Sequence, residues 1–226
     1  GPARANNGIE ETLVTAVRLN VETNHISSAI VSKELVSHRQ AIHLEDTLSS
    51  LVNVNAAAGA SRQRFLQIRG IGERSQFVEP INPSILVLLD GADISGLGGA
   101  LSLFAINQLE VLRGPQGTLM GAGALAGLIN ISSSSPTQNP KTAVVVGAES
   151  RDGKRISVLD NRTLPNGWTS GIALQRFRNN GWMRNAYLNK NDTNHIDERV
   201  VRGALSWSGM KTNLDLRLNH IRNQNG

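Results

Sequence analysis

The stretch QLEVLRGPQGTLMGAGALAGLINI, Gln108 to Ile131, sets two short apolar runs around a segment that carries five glycines. Leu109, Val111 and Leu112 predict a buried strand, Gly114-Pro115 ends it, and Gln116 to Met120 leaves room for no more than a turn or two of helix. Leu128, Ile129 and Ile131 then resume as a strand. Glycine at this density permits positive φ or close approach of backbones, so the segment reads as a compact turn packed against other structure. A flexible linker would be richer in serine and poorer in leucine.

Outward from this stretch lie FLQIRGIG at 65–72, ILVLLDG at 85–91 and, near the start, ETLVTA at Glu11 to Ala16. In order and spacing the three longer pieces resemble the plug domain of TonB-dependent outer-membrane receptors, and ETLVTA is similar to the TonB box near the mature N-terminus of that family. One departure is Met120, where the family usually has an aromatic residue, which bears on packing.

The resemblance implies an α+β plug domain, a small mixed sheet with short helices, followed by the first antiparallel strands of a transmembrane β-barrel in the bacterial outer membrane. It implies that Glu11, Thr12, Leu13, Val14, Thr15 and Ala16 face the periplasm and pair with the C-terminal domain of TonB. From local sequence alone this peptide reads as an ordinary edge strand; the functional reading adds it as a strand to a partner's sheet. The resemblance also implies that Arg69 and Arg113 pair with barrel-wall glutamates and hold the plug, because a buried arginine needs such partners. Those glutamates are expected from strands beyond Gly226.

Composition bounds the alternatives. A chain of 226 residues with 39% hydrophobic content can build a packed core. Zero cysteines exclude a disulfide framework and a thiolate metal site. No run approaches the ~18 apolar residues of a membrane-spanning helix, so membrane association requires strands or a surface patch. Gly1-Pro2-Ala3-Arg4 lacks the apolar region of a signal peptide. The net charge of +5 raises nucleic-acid binding, but the cations are scattered, there is one tyrosine, and no nucleic-acid motif occurs. Solvated or barrel-lining charges are the better account.

In chain order, residues 1–18 read as a tail carrying the TonB-box peptide and 19–136 as the plug. His25 to Val31 predicts a strand; Ser32 caps a helix through about Arg39, with Leu35 and Val36 inward. A second helix is predicted over His43 to Val52 from the spacing of Leu44, Leu48, Leu51 and Val52, then a loop over Asn53 to Ser61. Strands follow at Arg64 to Ile68 and Ser84 to Leu89, separated by the long connection Gly70 to Pro83. That connection, Asp93 to Gly99 and Ala56 to Arg62 are candidate apical loops, since long loops on rigid scaffolds often bind. Arg62, Arg64, Arg74, Gln76, Phe77 and Asp93 are the candidate ligand contacts, suited to an anionic, partly aromatic chelate.

The run Ser132 to Ser135 with Pro136 breaks the composition and marks the plug-to-barrel junction. In 137–226 apolar residues alternate with polar ones: Leu214, Leu216 and Leu218 against Asn213, Asp215, Arg217 and Asn219, and Val201, Leu205 and Trp207 against Arg202, Ala204 and Ser206. Period two suits a barrel wall between lipid and water, and also a soluble sheet with one wet face. Length favours the barrel: the segments near 141–150, 153–163, 167–178, 196–208 and 211–222 are each about as long as the ~9–11 residues that cross a bilayer. Pro165-Asn166-Gly167 reads as a short periplasmic turn, Asn179 to Asp197 as a longer outer connection, and Trp168, Trp182 and Trp207 as interfacial aromatics. Five strands cannot close a barrel, so further wall strands are expected and the sequence looks truncated.

Catalysis finds no support. Gly121-x-Gly123-x-x-Ala126, with Glu149 beyond, matches a dinucleotide fingerprint, yet strand-like residues follow Gly127 where a helix should open. No phosphate-binding Lys-Ser/Thr follows the glycines, and there is no nucleophile elbow. The histidines, His25, His38, His43, His195 and His220, lack metal-ligand spacing. No cofactor and no metal is expected. The reading is a monomeric, TonB-dependent outer-membrane transporter of a ferric-siderophore-type ligand, with cobalamin, haem and oligosaccharides as other cargo. The competing class is a passive structural or adhesion barrel, and a dinucleotide-binding oxidoreductase stands behind it.

Overall fold

The computed structural model describes residues 27–38, 41–58, 63–72, 83–95, 101–115, 124–137, 139–149, 152–181, 183–187 and 189–225. In order the elements are β1 (Ser27–Ser32), α1 (Lys33–His38), α2 (Leu44–Leu48), β2 (Val54–Ala58), β3 (Gln63–Ile68), β4 (Ile71–Gly72), β5 (Ile85–Leu89), β6 (Ala92–Asp93), β7 (Ile106–Arg113) and β8 (Gly127–Ser133). There follow β9 (Lys141–Glu149), β10 (Gly153–Thr163), β11 (Trp168–Asn179), β12 (Met183–Asn185), β13 (Lys190–Thr193), β14 (Ile196–Ser208) and β15 (Asn213–Asn225).

The opening stretch supplies the two central strands of a mixed sheet with order β1-β7-β8-β5-β6. β5 and β8 run parallel, while β1, β7 and β6 join antiparallel. β5 is buried along its whole length, as its unbroken ILVLL requires of a strand covered on both faces. On one face Val87, Leu89, Leu109, Val111, Ile129 and Ile131 pack with Val36, Leu44, Leu48, Leu66 and Ile68. On the other, Leu86, Leu88, Leu112 and Leu128 close over Ala124. Glu110 is buried and accepts hydrogen bonds from Gln108 Nε2 at 2.6 Å and Asn130 Nδ2 at 3.1 Å. Gly127 has the close approach expected of this segment: a Cβ there would lie 2.5 Å from the Leu112 carbonyl oxygen and 2.7 Å from Ile68 Cδ1. Asp90 and Gly91, at φ of 51° and 86°, make the tight turn from β5 to β6.

Three sequence expectations are corrected. The second helix covers only Leu44–Leu48; Leu51 is half-buried and Val52 exposed. The chain turns through Asn53 at φ 61° and enters β2, where a loop was expected. Pairing of Val54–Ala58 with β3 supplies the hydrogen bonds that alanine-rich sequence alone does not advertise. Leu35 is exposed, and Val36 is the residue of α1 that enters the core.

The second large sheet is antiparallel throughout, with order β15-β14-β11-β10-β9. Its strands fall on the segments read from the alternating pattern, with β15 running on to Asn225. Within the polar connection, β12 and β13 pair as a separate two-stranded ribbon. Asn166 and Gly167, at φ of 59° and 79°, form the short turn between β10 and β11. Beside it Trp168 and Trp207 stand opposite one another, ring centroids 6.2 Å apart. No helix among the described residues is long and apolar enough to cross a membrane.

The two faces of this sheet are opposites. Ser157, Ala173, Gln175, Phe177, Glu198, Val200 and Arg202 are buried on the face toward the mixed sheet. Val144, Val146, Ile156, Ile172, Leu174, Leu214, Leu216 and Leu218 are exposed on the other.

Candidate functional site

The two sheets meet through polar side chains. Residues 42–44 lie antiparallel to 101–103, with Leu44 N–H donating to Leu101 O at 2.9 Å and Leu103 N–H to Ile42 O at 2.8 Å. The alternation of extended chain sends Leu44, Leu101 and Leu103 into the core and leaves His43 and Ser102, paired across the bridge, for the second sheet. His43 Nε2 lies 3.0 Å from Glu198 Oε2, and the imidazole meets Phe177 edge-on at 6.0 Å. Asp46 fixes the approach of His43 by accepting its backbone N–H at 2.9 Å.

Arg202 stands four residues along β14 from Glu198 on the same face. Its guanidinium donates to Ser102 O and to Asn219 Oδ1, each at 2.9 Å. Gln175 Nε2 donates to Ser157 Oγ at 3.0 Å. Glu198 is fully buried and Arg202 nearly so, and isolated charges so placed would cost several kcal/mol each. Here Arg202 is held by the Ser102 carbonyl and Asn219, and Glu198 by His43 Nε2.

A second cluster forms where β5 and β8 end. Asp90 accepts the Ser133 N–H at 2.8 Å and the Ser133 hydroxyl at 2.7 Å. Arg217 of β15 reaches in, 3.3 Å from Asp90 Oδ1, donating to Ser133 O at 3.1 Å and Ser135 Oγ at 2.7 Å. Asn219 Nδ2 adds a bond to Asp90 Oδ2 at 3.3 Å. Between α1, residues 103–106 and strands β9 to β11 lies a cavity of about 330 Å³ whose charged lining is cationic: Lys33, Lys141 and Arg155.

Of the candidate residues read from sequence, Glu11 to Ala16, Arg62, Arg74, Gln76 and Phe77 lie outside the described residues. Arg64 is placed within β3. Asp93 is exposed on β6 and holds its own loop, accepting the Ser95 N–H at 2.9 Å and hydroxyl at 2.6 Å. Arg69 is exposed at φ 53° in the turn between β3 and β4, and Arg113 is half-buried at the end of β7. Sequence reasoning missed His43, Ser102 and Asp90 on one side and Glu198 and Arg202 on the other. Glu198 and Arg202 do share the inward register of a strand whose other face is apolar, and that was the available signal. At this interface Arg202 and Arg217 come from the second sheet and reach Ser102 O, Asp90 and Ser133 O, while Glu198 of that same sheet meets His43.

Residues 20–128 match the family described as TonB-dependent Receptor Plug Domain. The Vitamin B12 transporter BtuB of Vibrio vulnificus is 28% identical over 173 residues, 73% of this chain and 27% of that protein. The pesticin receptor of Yersinia enterocolitica is 28% identical over 175 residues, 76% of this chain and 26% of that one. The chain thus spans about a quarter of the length of the curated relatives it matches. Among solved structures, the ferric yersiniabactin uptake receptor FyuA from Yersinia pestis superposes with a TM-score of 0.76 at 23% identity, covering 88% of this chain and 32% of that one. The pyoverdine receptor FpvA of Pseudomonas aeruginosa superposes at 0.72 and 20% identity, covering 88% and 28%.

Proposed function

We propose, for a chain that belongs to the TonB-dependent receptors through its plug domain, TonB-dependent transport of a ligand across the bacterial outer membrane. The family consists of outer-membrane transporters, not enzymes. The observation that carries the proposal is the opposed polarity of the second sheet: an apolar face turned outward, and a polar face hydrogen-bonded to the plug. A soluble sheet buries its apolar face; a barrel wall shows it to lipid.

On this reading 1–18 is the tail that carries the TonB box, 19–136 the plug, and 137–226 the first part of the wall. Glu11 to Ala16 add as a strand to TonB in the periplasm, and ligand bound at the apical loops shifts the population in which that peptide is released. The coupling requires the ligand to favour the released state, since a ligand indifferent to both shifts nothing. Arg69 and Arg113 are proposed to meet wall carboxylates, beside the Arg202 and Arg217 contacts. Arg62, Arg64, Arg74, Gln76, Phe77 and Asp93 are proposed to contact the cargo.

For the cargo we favour a ferric-siderophore-type chelate. In its support stand the basic residues of the candidate loops, the cationic cavity beside the plug, and the likeness to a ferric yersiniabactin receptor. The similar vitamin B12 transporter makes cobalamin the competing cargo. Deletion of 11–16 in the full-length protein is expected to abolish uptake of the ferric chelate while leaving its binding to cells intact. Uptake that survives the deletion defeats the mechanism; uptake of cobalamin but not of iron chelates corrects the cargo alone.

A further inference from the structure

The outward face of the second sheet ends, at one border only, in a belt of cations. The apolar residues step diagonally across the strands, from Val144, Val146, Ile156 and Val158 through Ile172, Leu174 and Val201 to Leu214, Leu216 and Leu218, as tilted strands require of a level band. Just past the band, on the side toward the 180–195 connection, β10, β11, β14 and β15 each turn basic. Lys154, Arg176, Arg178, Arg199 and Arg222 all face outward and are exposed.

Their register is unfavourable unless something anionic lies over them. Arg176 stands directly opposite Arg199, and Arg199 directly opposite Arg222. Like charges facing one another across strands destabilise a sheet. Two acids stand at this border among the described residues: Asp197, 3.3 Å from Arg176 Nη2, offsets a single cation, and Asp152, on the turn before β10, accepts a hydrogen bond from Asn180 Nδ2 at 3.3 Å. The opposite border is built otherwise: Arg162 is neutralised by Asp160 at 2.7 Å, and Trp168 and Trp207 stand beside them.

We infer that this border is a docking surface for the phosphorylated headgroups of an anionic lipid in the outer leaflet. The inference rests on the proposed reading of the sheet as a membrane wall. Charge complementarity selects the occupant, and the fork of each guanidinium matches phosphate oxygens. Placement at the edge of the apolar band selects a lipid over a soluble anion: stems of Arg176 and Arg199 can lie on the hydrocarbon while their heads stay at headgroup level.

The test reconstitutes the full-length protein, wild type and Arg176→Gln/Arg199→Gln/Arg222→Gln, into phosphatidylcholine vesicles with and without lipid A, and measures lipid A retained on extraction. Insertion into phosphatidylcholine alone is expected to be equal. Affinity for lipid A should fall about 100-fold in the triple variant, each basic residue at an anionic surface contributing about five-fold. Should the triple variant fail to insert, Arg199→Gln alone is expected to show the single five-fold step. Equal retention by variant and wild type overturns the inference, as does equal retention of dephosphorylated lipid A. Release of lipid A by excess inorganic phosphate would also overturn it, by making the border a site for free phosphate. Wild-type protein that enters neither vesicle sinks the membrane-wall reading itself, and this inference with it.

Discussion

The plug sheet and the wall sheet use the same kinds of residue in opposite senses. β5 of the plug is buried on both faces, and leucines and isoleucines throughout that sheet lie inside. In the wall, Glu198, Arg202, Gln175 and Ser157 are buried while Leu214, Leu216 and Leu218 are exposed. A hydrophobic side chain follows the apolar medium available to it, which is the protein interior in one sheet and, on our reading, lipid in the other. The difference locates the stability of each part: packing in the plug, and in the wall, backbone pairing plus the polar interface with the plug.

The widest expected effect breaks that polar interface. Arg202→Ala strips the donors from Ser102 O and Asn219 Oδ1, and a buried acceptor left without its charged donor costs about 1.5–3 kcal/mol. It should appear as lost hydrogen-exchange protection at 42–44 and 101–103 in the full-length protein, with Arg202→Lys losing less. Unchanged protection would show that the two sheets are held by something else.

Next is the contrast between cores. Ile129→Ala removes a fully buried side chain from between two packed layers and should cost about 2–5 kcal/mol in a denaturant midpoint. Leu216→Ala, on the outward face, should cost about 0.5 kcal/mol in a bilayer. Comparable losses at both positions would mean that the outward face is packed against protein.

Charge sharpens the same comparison. Leu216→Arg should cost about 2–4 kcal/mol if its position faces the bilayer midplane, read as a lower folded fraction on reconstitution. Leu35→Arg, at an exposed plug position, should change stability by less than about 0.5 kcal/mol.

What could be read without coordinates follows from the range of the forces involved. β7 and β8 were legible because each carries a short apolar run, broken only by Glu110 or Asn130 and bounded by Gly114 and Ser134, and the wall strands because period two persists over their length. The short α2 was not, since Leu51 and Val52 keep helical spacing past the end of the helix at Leu48, before the chain turns through Asn53 into β2. Tertiary pairing with β3 overrode local propensity there. The site was legible by half. Alternation places Glu198 and Arg202 inward, but their partners His43 and Ser102 lie far away in sequence and become neighbours only through the fold.

The smallest expected effect tests whether the plug's own surface behaves as protein in water. Glu34, exposed in the first turn of α1, has its carboxyl held below the usual range by a backbone N–H and by the Ser32 hydroxyl, with Lys33 and His38 adding charge. A folded-state value below the unfolded one stabilises the plug at pH above the unfolded value, and this contribution is lost as pH falls through the depressed folded value. Glu34→Gln should therefore lower the melting temperature slightly at neutral pH and leave it unchanged in acid below both values. Added salt should weaken only the charge contribution from Lys33 and His38, because the two hydrogen bonds are short-range. A variant as stable as wild type at neutral pH would show that the hydrogen bonds from the Ser32 hydroxyl and the backbone N–H to the Glu34 carboxylate do not hold in solution.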